Sequence, residues 1–271
     1  MRNYTKTAQI VGQIIQKGTN MARKFFIKQD KSFEYGGNIV VDGEEFNHIV
    51  NVLRYKVGGE VCVIDGSGTD YVCKIKEIRK KNLTLDIVEM KDNNSETKAN
   101  VTVFQALVKG DKFELIIQKL TELGVKTFIP FETEFCQVKK NTTRLDRLEK
   151  ISIEALKQCG RSKKVEIKNI LSFGQMIDEL KNYDKVIFAY ENSTTSLQKE
   201  DLQQNGQPFK NVAIIIGSEG GFSEKENEMI LSQNNVKQIS LGNRILRAET
   251  ASISLTSVVM FLLDEWERKW K

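Results

Sequence analysis

Two rhythms of apolar and polar positions run along the chain, and they exchange between residues 91 and 99. Before that point short strand-like runs dominate. Phe25-Phe26-Ile27 and Ile39-Val40-Val41 read as strands. Residues 60–65, 69–78 and 82–89 alternate with the period of two of half-buried strands, and Gly66-Ser67-Gly68 supplies a hairpin turn. Phe46, Ile49, Val50 and Leu53 break the pattern, because their spacing puts them on one face of a helix within 44–54. His48 and Arg54 flank that face. Several strands and one helix in so short a stretch predict a small barrel over 21–92.

Residues 93–99 are polar, carry no apolar period and read as a linker. From 100 to 271 strands and helices alternate, which is the order of an α/β domain. Strands are expected at Val101–Val108, Thr127–Phe131, Lys185–Tyr190, Val212–Ile216 and Gln238–Leu241. Helices are expected at Lys112–Leu123, Arg144–Gly160, near 173–181, at Ser223–Gln233 and from about Glu249. Gly124 is placed to stop the first of these. Ala251, Leu255, Val258, Val259 and Leu262 share a face of the last. Glu191–Gln207 is polar and reads as a mobile loop. Residues 1–20 have no acid, no long apolar run and no small-residue cleavage site, and read as an N-terminal extension.

Composition removes several classes of function. No apolar run approaches the roughly 20 residues that a membrane helix needs. The chain holds one histidine and four cysteines, Cys62, Cys73, Cys136 and Cys159, which form no CxxC pair, so no metal site is expected. Reduced thiols suit a cytoplasmic protein. The net charge of +5 is spread thinly, but residues 139–168 carry ten Lys/Arg against four acids, a local patch suited to phosphate.

The candidate chemistry lies where strands end. Ile214-Ile-Ile-Gly-Ser-Glu-Gly-Gly-Phe-Ser223 is a buried strand, a glycine turn and a helix start, with Ser223 and Glu226 spaced as a capping box. Ser240-Leu-Gly-Asn-Arg-Ile-Leu-Arg-Ala-Glu-Thr-Ala251 repeats the design with two arginines, a glutamate and a threonine, which a plain connector does not need. Phe188-Ala-Tyr-Glu191 closes a third strand. Pockets in open α/β sheets are built from such loops. Neither the dinucleotide nor the P-loop spacing is present. The residues alone therefore reach an α/β ligand-binding domain of enzymatic type.

Ile216-Gly-Ser-Glu-Gly-Gly-Phe222 followed by Leu241-Gly-Asn-Arg-Ile-Leu-Arg-Ala-Glu-Thr-Ala251 resembles the signature of the RsmE family. His48–Arg54, Lys109-Gly-Asp-Lys112, Gln118–Val125 and Glu154–Arg161 resemble further stretches of it, and the likeness spans about 21–265. Ser218 stands where the family usually has proline, and Ala248 where it usually has threonine. The resemblance implies a PUA-like barrel followed by a SPOUT-class α/β domain with a trefoil knot, paired as a homodimer through the C-terminal domain. It implies methylation of N3 of a uridine in 16S ribosomal RNA, free or in the assembled small subunit, with S-adenosylmethionine as donor.

Residue roles follow from that resemblance. Ala189, Tyr190, Ile216, Gly217, Gly220, Leu241, Gly242, Ile245 and Leu246 are expected to hold the cofactor, the glycines keeping side chains out of its way. Arg247 is the candidate for stabilising charge on the uracil, with Glu219 and Glu249 as proton acceptors or as groups that orient it. Arg23, Arg54, Arg161, Lys163, Lys164 and Arg244 are the candidate RNA contacts. Glu154, Gln158 and Arg161 are expected on one helix face. Two alternatives stay open. One is a ribose 2′-O methyltransferase, disfavoured by Arg247-Ala-Glu-Thr-Ala-Ser252 where a serine–asparagine stretch is typical; the other is a non-catalytic RNA-binding protein.

Overall fold

The computed structural model describes residues 23–28, 33–138 and 143–267. The N-terminal extension expected over 1–20, and Lys139 and Lys140 of the basic segment, lie outside the described residues. The chain divides into two compact units between Asn94 and Ser95.

The first unit is a five-stranded sheet. Its strands are β1 (Lys24–Phe26), β2 (Asn38–Val41), β3 (Glu60–Ile64), β4 (Thr69–Ile78) and β5 (Leu83–Asp92), in the order β1-β3-β4-β5-β2. Only the β1–β3 pairing is parallel. Alternation works as read: Tyr71, Cys73 and Ile75 on β4 and Leu83, Leu85 and Ile87 on β5 are buried, with more exposed residues between them. The helix expected over 44–54 is α1 (Gly43–Asn47), which widens into a π-type turn over His48–Val52. Its core-facing residues are Phe46 and Ile49, and Arg54 leaves the turn at φ 58°. The His48 ring meets the edge of Phe25 at 5.7 Å.

The second unit is an α/β/α layer. Six parallel strands, β6 (Asn100–Ala106), β7 (Thr127–Phe131), β8 (Glu166–Ile167), β9 (Lys185–Ala189), β12 (Asn211–Ile216) and β13 (Val236–Ile239), run in the order β13-β9-β12-β6-β7-β8. The central strands are buried on both faces, so they read as unbroken apolar runs. Val101, Val103, Ile214 and Ile216 pack with α2 (Lys112–Glu122), α3 (Leu145–Cys159) and α6 (Ala248–Leu262). Phe104, Ala106, Ala213 and Ile215 pack with α4 (Phe173–Glu179) and α5 (Glu224–Leu231).

Two stretches differ from their reading as free loops. Of the expected linker, residues 95–99 are tied down: Ala99 is buried, Thr97 Oγ1 donates to the Gly124 carbonyl at 3.0 Å, and Glu96 binds Arg161. Residues 191–207 are anchored as well. They include a short hairpin, β10 (Gln203–Gln204) with β11 (Gln207–Pro208), and Leu202 inserts into the core. One apolar residue among polar ones suffices to pin a loop, and it leaves no period to read.

Candidate active site

Because β13, β9 and β12 are adjacent and parallel, the loops that follow them leave the same edge of the sheet. With Lys112 at the start of α2 they enclose a cavity of about 710 Å³. Ala189, Tyr190, Ile216, Gly217, Gly220, Leu241, Gly242, Ile245 and Leu246 all line it, as do Glu219, Arg244 and Arg247. The size falls within the range of small-molecule sites.

The 217–222 loop is internally braced. The Gly221 N–H donates to the Ser218 carbonyl at 3.1 Å, and the Gly217 carbonyl accepts from Gln105 Nε2 at 3.2 Å. Ser223 caps α5 with the expected box, and Glu226 also accepts from the Glu134 N–H at 2.8 Å. The glycines here also have a reason inside the protein. A Cβ at Gly217 would come within 2.8 Å of the Phe222 ring, and one at Gly220 within 2.7 Å of the Phe135 carbonyl. Protein neighbours therefore exclude side chains at both positions. Gly242 is a conformational requirement, at φ 95° with open space around it. The 241–247 loop is looser. Arg244 and Arg247 are exposed, and Ile245 is 94% exposed.

Arg247 is the N-cap residue of α6 and lines the cavity. Glu219 and Glu249 converge on Lys112, which lies 2.6 Å from Glu219 Oε1 and 4.0 Å from Glu249 Oε2. Glu219 also accepts from the Lys109 N–H at 3.2 Å. Burial opposes the charge on Glu219, but hydrogen bonds from Lys112 and from backbone N–H groups outweigh it and hold the carboxyl below its ordinary value. An acid so held is a poor proton acceptor. Glu249 is different, since its Oε2 is buried with no hydrogen-bond partner.

Arg161 is a correction. The helix-face spacing from Glu154 and Gln158 needs the helix to continue, but Gly160 ends α3 in the left-handed region at φ 81°. Arg161 turns inward and is 2% exposed. Its Nη1 donates to the carbonyls of Thr121 and Val125 at 2.7 and 3.0 Å, while Nε and Nη2 donate to Glu96. Burial works against the charge of Glu96, and the Arg161 guanidinium with the Lys163 and Ser162 N–H groups brings its carboxyl below the usual range. Other cations of the basic segment form ion pairs nearer the surface: Arg144 with Asp146, Arg147 with Glu114, Lys157 with Glu154, Lys164 with Glu149 and Lys168 with Glu166. Lys163 is exposed, as are Arg23 and Arg54 in the first unit.

Lys112 and Gln105 carried no role in the sequence reading. Lys112 stands inside the Lys109–Lys112 motif, but its partners lie 107 residues and more along the chain. Among the described residues no group of His, Cys, Asp and Glu is placed to hold a metal, and no helix is long and apolar enough to cross a membrane.

A parallel sheet whose strand-end loops line a cavity of this size defines an α/β domain that binds a small molecule. A family model described as an RNA methyltransferase domain matches residues 95–260, and one described as an RNA methyltransferase PUA domain matches 41–88. The ribosomal RNA small subunit methyltransferase E of Bacillus subtilis (strain 168) is 32% identical over 247 residues, covering 88% of this chain and 96% of that one. That of Rickettsia conorii is 32% identical over 218 residues, covering 80% and 86%. Among solved structures, the Neisseria gonorrhoeae ribosomal RNA small subunit methyltransferase E bound to S-adenosyl methionine aligns with a TM-score of 0.78 and 25% identity over 89% of this chain and 98% of that one. A Legionella pneumophila protein in complex with the same cofactor gives 0.77 and 29%, over 89% and 98%. The chain belongs to the ribosomal RNA small subunit methyltransferase E family.

Proposed function

We infer that this chain methylates 16S ribosomal RNA of the small subunit with S-adenosylmethionine as donor, and we propose N3 of a uridine as the acceptor atom. The observation that carries the reading is the cavity at the ends of β9, β12 and β13, lined by both signature loops in a chain that matches its relatives over nearly their whole length. The cofactor fits the residues present. Ile216, Leu241 and Leu246 give apolar walls for an aromatic ring, strand ends offer backbone N–H and C=O groups, and Glu191 and Glu219 stand on the lining with negative charge suited to a sulfonium.

When bound, the cofactor supplies an activated methyl group, whose bond to sulfur breaks, with its electron pair leaving on sulfur, as the bond to N3 forms. The chain's own task is alignment and proton handling. The imide N3–H must be lost. We propose Glu219 and Glu249 as its acceptor or as groups that orient Arg247: Glu219 lines the cavity and accepts from Lys112 and the Lys109 N–H, and Glu249, whose buried Oε2 has no donor, sits in the first turn of α6. The Arg247 guanidinium on the cavity wall supplies positive charge for the anionic uracil ring.

Arg23 and Arg54 of the PUA-like unit, with Lys163 and Arg244, are the RNA phosphate contacts we propose. Arg54 holds a left-handed backbone that a non-glycine residue rarely adopts, and such strain is characteristic of functional positions. The homodimer is supported by an exposed apolar strip on and after α6, Val258, Phe261 and Trp266, the last two in ring contact at 6.1 Å. We propose a cytoplasmic location, which a ribosomal RNA substrate supports. Mapping modified uridines in ribosomal RNA from cells with and without the protein tests the function. Loss of a single N3-methyluridine from the small-subunit RNA is the expected result, and an unchanged map overturns it.

A further inference from the structure

The segment that follows β7 has two faces. Thr133 is buried, and Cys136 and Val138 pack against the core of the unit. Glu134, Phe135 and Gln137 turn outward. Phe135 is 48% exposed and packs in neither apolar cluster of this unit. A single exposed apolar residue needs no explanation in itself; what singles out Phe135 is its place. Its backbone is held from two sides. The Cys136 N–H donates to the Thr133 carbonyl at 3.1 Å, and the Cys136 thiol donates to the Leu107 carbonyl at 3.2 Å. The Glu134 N–H donates to Glu226 Oε1 at 2.8 Å, and the Thr133 and Ser218 hydroxyls share a hydrogen bond at 3.4 Å. The Phe135 Cβ and carbonyl oxygen press on Gly220 so closely that a Cβ there would meet each of them at 2.7 Å. Gly220 lines the cavity and Phe135 does not. The ring thus stands one residue beyond the cavity wall, on a braced turn, with half of its surface in water.

A cation is held in the same segment. Lys109, exposed just after β6, donates through Nζ to Gln137 Oε1, a neutral partner that leaves the charge of the ammonium in place. An open aromatic face two residues from a positioned cation suits single-stranded nucleic acid: a base stacks on the ring, and a phosphate meets the charge. Chemistry on N3 needs such a strand, because that atom lies on the pairing edge and the base must leave its pair and its stack to be reached. Its neighbour in the strand then loses a stacking partner. We propose that Phe135 replaces that partner, stacking on the unpaired base next to the methylated uridine while Lys109 contacts its phosphate. The target uracil and the cofactor are excluded as occupants, because the ring lies outside the cavity. A second copy of the chain is the competing occupant, and the neighbouring ammonium favours the polyanion. The assignment rests on the methyltransferase reading given above.

The test compares wild type with F135L, F135W and K109Q in the full chain. The probe is small-subunit ribosomal RNA from cells that lack the protein. Four quantities are read: the RNA Kd by filter binding at several salt concentrations, kcat at saturating RNA, the S-adenosylmethionine Kd by calorimetry, and the mass in solution by sedimentation. F135L keeps an apolar side chain and removes the π-face, so the RNA Kd should weaken about tenfold with its salt dependence unchanged. F135W should bring it back to within about twofold of wild type. K109Q should lower the slope of log K against log salt by about 0.7–0.9. The cofactor Kd, the mass and kcat should stay near wild type in F135L. An RNA Kd unchanged in F135L overturns the stacking role, and so does a loss that F135W fails to restore. A fall in mass on F135L substitution assigns the ring to a contact between copies and overturns it as well. An unchanged salt slope in K109Q removes the phosphate contact. A wild type that binds the cofactor and methylates no uridine overturns the functional reading itself, whereas failure of the stacking role alone leaves the methylation intact.

Discussion

The second unit contains two clusters of a basic residue with glutamate, and they are built to opposite ends. Around Arg161 the charge is sealed: Glu96 accepts from Nε and Nη2 of its guanidinium and from the Ser162 and Lys163 N–H groups, and two carbonyls accept from Nη1. Around Lys112 the charge is partly wet, three elements meet, and one carboxylate oxygen is left without a donor beside the cavity. A satisfied buried network fixes a chain segment and has nothing left to offer a ligand. An unsatisfied one costs stability and keeps a group in reserve. Both arginine and lysine stand in basic motifs, so composition alone ranks them alike; the accounting of donors and acceptors separates them.

The largest expected effect falls on the sealed cluster. E96A leaves a buried guanidinium without its anion and should cost roughly 3–5 kcal/mol of stability, read as a lowered urea midpoint. A K112M midpoint lowered as far as that of E96A would erase the contrast, since partly exposed pairs contribute about 1 kcal/mol or less. Next in size, R247A should slow methyl transfer by about 10²–10³-fold with the cofactor Kd within a few-fold, because the guanidinium lines the cavity and its loss removes a charge needed only as the reaction proceeds. Activity near the wild-type level would show that the rim's positive charge lies elsewhere.

Acid acts on both clusters, more gently. Glu96 and Glu219 both titrate below their ordinary value of 4.5 in the folded protein. The unfolded chain then binds more protons, so the stability they contribute is fully present above 4.5 and is lost as pH falls through the folded values. In both E96Q and E219Q the slope of stability against pH below 4.5 should flatten, read from urea midpoints across that range. The smallest effect is expected at Ile245: being almost wholly exposed, its change to serine should alter stability by no more than about 0.5 kcal/mol. Any loss there should appear in cofactor or RNA affinity, measured by calorimetry.

Much of the α/β unit is legible from periodicity, because its central strands are apolar throughout and its helices carry clean stripes. Thr127–Phe131 lies where the pattern puts it, and Ser223 caps its helix with Glu226. The strand-end loops are legible too, since glycines beside charged residues mark them. What escapes is anything decided by a distant partner. Arg161 reads as an RNA contact until Gly160 turns it inward toward Glu96. Lys112 reads as a helix residue until Glu219 arrives from far along the chain. Gly217 and Gly220 announce a close approach, and Phe222 and Phe135, which crowd the two positions from within the protein, are not legible in the loop itself. Leu202 pins its loop without any neighbour to make a pattern.

The strand order has a consequence for how the protein is made. At the centre of the sheet Val103 lies beside Ile214, and the last wall of the cavity, Ala248 and Ala251, opens the final helix. A growing polypeptide emerges from its N-terminus and can form the five-stranded sheet early, around the consecutive hairpins of β3, β4 and β5. The second unit must wait: β6 has one neighbour available after β7 but no second until β12 has been synthesised, and pairings of such long range close slowly. The cofactor cavity is thus completed late in translation, and a product stopped before residue 248 lacks the wall that Ala248 and Ala251 supply.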